Sequence, residues 1–303
     1  MTVAIGLDVG ETKHAAARVD VERGTVLAAR RLPTAPARGS AAVLGDCRSL
    51  AAELAGGGDV AAVGIAVCEL VGPAGDVRSA ETVDWRGIDV AGAFTAIAPA
   101  RVESDVRAAA LAEGRHGAGR DRPDFLYVSV GSGISHCLIA GRRPRLGVRG
   151  AAIGTGAPLV ERWSGGLALA RRTGHASAEA ALADPAAAAI VEDAAARLGA
   201  VLAALVNALD PGAVIIGGGL GLHAGYRERV TAALRAAVYD PAARELPVLP
   251  AGLGADAAVI GAACAAAGDA ARTPPGGAAG GSSPGRGDGY PLDGSVQGGE
   301  ARP

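Results

Sequence analysis

The chain has 303 residues, half of them apolar, with 29 Lys plus Arg against 31 Asp plus Glu and a net charge of −2. At that length a fold buries roughly three quarters of its unfolded surface in one large or two moderate domains, which excludes a chain disordered throughout. The balanced charge provides no field for nucleic acid or a membrane surface, so neither is expected as a partner.

Two Phe, two Trp and four Tyr against 47 Gly leave Val, Leu, Ile and Ala to fill the core. Val3 to Leu7, His14 to Val19 and Thr25 to Leu32 read as an opening strand meander, with turns at Gly10 and at Glu22 to Gly24. Ser40 to Leu54 has helical spacing, and Val60 to Val67 is short and apolar enough for a buried strand. Arg101 to Glu103 reads as a strand and Asp105 to Arg115 as a helix. The order then recurs: Phe125 to Val130 and Ser135 to Ala140 pair around Gly131-Ser132-Gly133, a weak internal repeat of the first two strands. Helices are predicted over Leu159 to Arg172, Ala178 to Ala183, Ala186 to Leu209, Tyr226 to Ala237 and Ala255 to Ala267, with strands at Ala213 to Ile216 and Pro247 to Leu249. Strands alternating with crossover helices imply parallel α/β sheets, and two related halves imply two such domains flanking a cleft. Residues 272–303, dominated by Gly, Pro and Ser, are expected to be a disordered tail.

Cys47, Cys68, Cys137 and Cys264 lie far apart with no C-x-x-C pair, which reads as free, buried thiols. No basic and apolar leader precedes Asp8, and runs such as 198–209 fall short of the roughly 18–20 residues that span a bilayer. A cytoplasmic protein is expected.

Three glycine turns follow apolar strands: Asp8-Val9-Gly10-Glu11-Thr12-Lys13, Gly131-Ser132-Gly133 and Gly217-Gly218-Gly219. Without Cβ atoms such turns let backbone N–H groups approach phosphate oxygens. None satisfies the P-loop pattern, and Leu222 breaks G-x-G-x-x-G in the third.

Together, Gly6 through Lys13, Val130 through Ile134 and Asn207-Ala208-Leu209-Asp210-Pro211 through Gly219 resemble, in order, the two phosphate motifs and the adenosine segment of the ROK family of sugar kinases, within the actin, hexokinase and Hsp70 fold group. Glu11 replaces a second Gly of the first motif. The resemblance covers about residues 3–268 and implies two RNase H-like domains, 1–104 with 255–270 and 105–254, that bind ATP and Mg²⁺ between them. It implies Asp105 as general base, where the family has Asn-Asp and this chain has Ser104-Asp105. Asp8 would hold Mg²⁺ through water, and Gly10, Thr12, Lys13 and the other two turns would contact nucleotide. Asp105 read alone is equally a helix N-cap, and Lys13 a solvated strand-start lysine.

Two family features are missing. The Glu-x-Gly-His element is matched by Ala152-Ile153-Gly154-Thr155, so Ala152 and Thr155 stand for the Glu and His that contact sugar; the zinc-binding cysteine loop is also absent, and no zinc site is expected. Ser104, Glu161 and Glu69 are the remaining substrate candidates, although Glu69 could equally be an exposed loop charge. The expected reaction is phosphorylation of a hydroxyl, primary by preference, on a modified hexose, amino sugar or C7-cyclitol rather than plain glucose. A non-catalytic sugar-binding regulator, a pseudokinase and a glucokinase are the alternatives; the repressors of the family carry an N-terminal helix-turn-helix that does not precede the first strand here. Family members are often dimers or tetramers, which leaves a homodimer as one expected state.

Overall fold

The computed structural model describes residues 1–154 and 160–270. The expected tail from 272 and Thr155 lie outside the described residues.

The first sheet is formed by β1 (Val3–Val9), β2 (Lys13–Asp20), β3 (Thr25–Pro33), β4 (Val63–Val67) and β5 (Ala100–Ser104), in the order β3-β2-β1-β4-β5. Helix α1 (Ser40–Ala55) packs Val43, Cys47, Leu50 and Leu54 onto it. β1 and β4 are apolar almost throughout because both faces are covered, as central parallel strands require. Helix α2 (Asp105–His116) starts directly at the end of β5.

The second sheet contains β6 (Phe125–Val130), β7 (Ile134–Ala140), β8 (Arg143–Pro144), β9 (Val214–Gly217) and β10 (Val248–Pro250), in the order β10-β9-β6-β7-β8. In each sheet the first strand pairs antiparallel with the second and parallel with the fourth. The weak repeat in the sequence is thus a repeated sheet topology.

Helices α3 (Glu161–Ser164), α4 (Gly166–Thr173), α5 (Ala178–Ala183), α6 (Ala188–Leu209), α7 (Gly219–Leu222) and α8 (Ala224–Ala237) belong to the second half. The single helix predicted over 159–172 is a correction: Gly165 adopts an extended conformation (ψ 157°) and divides it into α3 and α4. The last helix, α9 (Ala257–Ala270), returns to pack on β1, β4 and α2. Residues 71–99, with no clear periodicity, form mainly irregular loop around buried Val83, Trp85 and Phe94. No described helix is long and apolar enough to cross a membrane.

Candidate active site

The strand register places the two acidic candidates on one sheet edge. Asp8 lies level with Ala66, Ala66 with Glu103, and Val67 with Ser104, so Asp8 and Asp105 flank the end of β4. Two strand spacings put Asp8 about 10 Å from Glu103, and Asp105 follows two residues later, near enough for the carboxyl groups to sense each other. Both are partly buried. Burial first, and then the neighbouring Asp105 charge, push Asp8 up to about 7, while Lys13 opposes the shift. Burial pushes Asp105 up to about 6, against the hydrogen bond its Oδ1 accepts from the Val106 N–H (2.6 Å). Two acids poised near neutrality at the carboxyl edge of a parallel sheet have the marks of a functional site.

Asp105 is the first residue of α2 rather than its cap. Ser104 holds the cap position; it is fully buried, and its hydroxyl lies 3.5 Å from Asp105 Oδ1. Glu11, Thr12 and Lys13 are exposed at the tip of the first turn, which closes with Gly10 N–H donating to the Lys13 carbonyl (3.1 Å). Buried Thr34, a residue the sequence reading passed over, braces that turn: its hydroxyl donates to the Gly10 carbonyl (2.7 Å) and its N–H to the Thr12 carbonyl (3.1 Å).

The second and third turns occupy one edge of the second sheet, because β6 and β9 pair in parallel with Ser129 opposite Gly217. The start of α4 is bound to the second turn, the Gly166 and Leu167 N–H groups donating to the Gly131 and Ser132 carbonyls at 2.8 and 3.2 Å. The second turn suits phosphate oxygens, since a Cβ built on Gly131 would meet nothing within 4 Å and its backbone opens on free space, whereas Gly217 and Gly218 of the third pack against Tyr127 and Val130. Asp8 offers the hard oxygen donor that suits Mg²⁺.

Glu161 lies against the second turn, where a Cβ on Gly133 would fall 2.2 Å from its Oε1. It lines a cavity of about 300 Å³ together with Glu81, Ser132, Arg162, Leu167 and Arg171. Burial, and then the charges of Glu81 and Glu11, raise its pKa. Glu81 comes from the loop after β4 and Glu161 from the second half, so the cavity joins the two halves. Glu81, Arg162 and Arg171 carried no sequence signal.

Glu69 is a correction. Instead of facing a substrate it is 1% exposed, and both oxygens are taken up inside its own loop. Oε2 accepts from the Ser79 hydroxyl and the Glu81 N–H, and Oε1 from the N–H groups of Thr82 and Val83. It shapes the loop that carries Glu81. Ala152, in the position of the family glutamate, is exposed. The four cysteines are free; Cys47, Cys137 and Cys264 are buried and Cys68 partly so.

The family model described as "ROK family" matches residues 4–162 and 155–268. The chain belongs to the ROK family. Within it, the chain is 34% identical over 284 residues to the bifunctional enzyme NanE/NanK of Brucella suis, covering 86% of this chain and 52% of that protein. It is 34% identical over 156 residues to a glucokinase of Streptomyces coelicolor, covering 50% of this chain and 48% of that enzyme. The chain thus spans about half the length of the curated relatives it matches. A crystal structure of a ROK family glucokinase from Streptomyces griseus with glucose and AMPPNP superposes with a TM-score of 0.76 at 28% identity, covering 87% of this chain and 99% of that one.

Proposed function

We propose that this ROK-family chain is an ATP-dependent kinase that transfers the γ-phosphoryl group to a primary hydroxyl of a sugar or sugar-like polyol. The observation that carries this reading is the placement of Asp8 and Asp105, both raised toward neutrality, on one sheet edge, with the first glycine turn following the strand of Asp8. Residues 1–104 with 255–270 and residues 105–254 are taken as the two domains. Asp105 accepts the proton of the attacking hydroxyl, and a raised pKa suits a base that works near pH 7. Asp8 would hold Mg²⁺ through water; when bound, the cation offsets negative charge on the phosphates. Gly10, Thr12 and Lys13, with Gly131, Ser132 and Gly133, cradle the phosphates, while Gly217, Gly218 and Gly219 approach the adenosine. Glu161 orients the acceptor, whereas Ser104 is a correction: fully buried, it supports Asp105 instead of meeting a substrate.

Glu81 and Glu161 on one cavity accept hydrogen bonds from hydroxyl groups while Arg162 and Arg171 beside them donate, and Ala152 has none of the acceptor capacity of the family glutamate whose position it takes. This supports a modified hexose, amino sugar or C7-cyclitol over plain glucose. The test is ADP release with glucose, mannose, glucosamine, N-acetylmannosamine and a C7-cyclitol as acceptors. Preference for glucose would make the chain a glucokinase, and AMPPNP binding without turnover of any acceptor would leave a sugar-responsive regulator.

The acid limb of turnover should follow Asp105. Its base form is lost as pH falls through about 6. Below that value kcat/KM for the acceptor, which reports the free chain, should drop by about tenfold per pH unit. A kcat/KM flat down to pH 4.5 would count against Asp105 as the base.

A further inference from the structure

Arg107 lies two residues beyond Asp105 on α2 and is only 1% exposed, yet it carries a full charge. Its guanidinium reaches three separate segments. Nε donates to Glu103 Oε1 (2.6 Å) at the end of β5, Nη1 to the Gly150 carbonyl (2.7 Å), and Nη2 to the Val71 carbonyl (2.8 Å) in the loop after β4. Glu103 Oε1 also accepts the Ser104 N–H (2.8 Å), the residue directly before Asp105. One side chain therefore ties the Asp105 junction to a loop of the first half and a segment of the second.

The two tied segments come from different halves. Val71 lies in the loop that Glu69 folds and that carries Glu81, while Gly150 precedes Gly154, which bridges Ser135 beside the second turn. The segments touch closely: a Cβ on Gly150, whose φ is +74°, would lie 2.3 Å from the Val71 carbonyl oxygen. Arg78 adds a second tie, donating to the Arg149 carbonyl (2.8 Å). Desolvating a guanidinium is costly, and a buried ion pair often stabilises no better than apolar side chains of the same volume. Stability alone gives little reason for an arginine here, whereas a planar fork that meets acceptors from three directions fixes their relative positions.

We infer that Arg107 is a positioning residue for phosphoryl transfer, holding the loop that carries Glu81 and the segment 146–154 in register with the Asp105 junction. The loop coupling stands on the contacts alone, while its catalytic consequence rests on the proposed kinase reading.

The experiment uses the full chain and the variants Arg107→Met, Arg107→Lys and Gly150→Ala. Hydrogen–deuterium exchange is followed in peptides covering 69–83 and 146–154, and KM is measured for ATP and for the best acceptor of the panel. In Arg107→Met, exchange should rise in both peptides together, with peptides of α6 unchanged. Displacing the loop of Glu81 from the Asp105 junction should raise the acceptor KM by roughly tenfold or more, with the ATP KM held within about twofold. Arg107→Lys, which keeps the charge but not the fork, should fall between. Gly150→Ala drives the same two segments apart with Arg107 intact and should reproduce the split; it decides the matter if Arg107→Met does not fold. Unchanged exchange in both peptides, or ATP and acceptor KM rising in parallel, would overturn the assignment. If the unsubstituted chain phosphorylates no acceptor, the kinase reading fails and exchange still decides the coupling.

Discussion

Replacing Asp105 with Asn is expected to lower kcat by about 10²- to 10⁴-fold, the range a positioned general base contributes, while AMPPNP affinity stays near that of the unsubstituted chain. The split follows from geometry. Asp105 follows β5, one strand beyond β4, whereas the glycine turns proposed to cradle phosphate follow β1, β6 and β9, so loss of the proposed proton acceptor leaves the turns undisturbed. Asn keeps a side-chain oxygen where Oδ1 accepts the Val106 N–H, so the start of α2 remains intact. The same substitution should stabilise the protein above pH 6. A carboxyl held at about 6 when folded and near 3.8 when unfolded keeps its proton in the folded state across that interval. The unfolded chain there binds fewer protons, so the stability contributed by Asp105 falls as pH rises through the window and stays low above it. Asn has no proton to lose, and a higher Tm at pH 8 together with collapsed turnover is the expected signature of a carboxylate kept for chemistry. Undiminished turnover would remove Asp105 from the mechanism.

The parts of this site that were legible in the sequence are those made by short-range pattern. Asp8 stands out because it follows an apolar run, Asp105 because it joins a strand to a helix, and the three turns because glycines follow β1, β6 and β9 directly. The paired halves were visible as two strand–turn–strand units of the same kind. What escaped notice depends on long-range packing through irregular chain. Glu69 could not be recognised as a loop organiser, because its partners at 79–83 lie in a stretch with neither helical nor strand period. Glu103 and Arg107 have the i, i+4 spacing of an ordinary helix-surface pair. Only the convergence of Val71 and Gly150 on the same guanidinium shows that the pair is buried. Arg162 and Arg171 reach the cavity because Gly165 breaks the helix between them, which a helical period running through 159–172 concealed.

Substituting Ala for Gly64 or Gly261 is expected to destabilise the fold by about 3 kcal/mol or more, at or beyond the usual cost of overpacking a core. Both glycines lie where α9 meets its neighbours with no room for a methyl group. A Cβ on Gly64 of β4 would lie 1.9 Å from the Ala262 carbonyl oxygen, and a Cβ on Gly261 of α9 would lie 1.7 Å from the Ala108 carbonyl oxygen of α2. Gly6 of β1 stands in the same relation to Val259, at 1.9 Å. The opposing atoms are backbone, so no rotamer change relieves the overlap, and α9 must move away from the sheet or from α2. Either movement also reaches the site, because β1 carries Asp8 two residues after Gly6 and α2 begins with Asp105 three residues before Ala108. Gly45 is the control. It is exposed within α1, and a Cβ there meets nothing within 4 Å. Gly45→Ala should therefore be neutral or add up to about 1 kcal/mol through helix propensity. Urea unfolding of the three variants checks the order; a Gly64→Ala or Gly261→Ala chain as stable as Gly45→Ala would mean that α9 does not seat on β4 and α2 at this distance. The close seating then has a reason in chemistry as well as stability: three glycines at one helix interface set the spacing between the strand that presents Asp8 and the helix that presents Asp105.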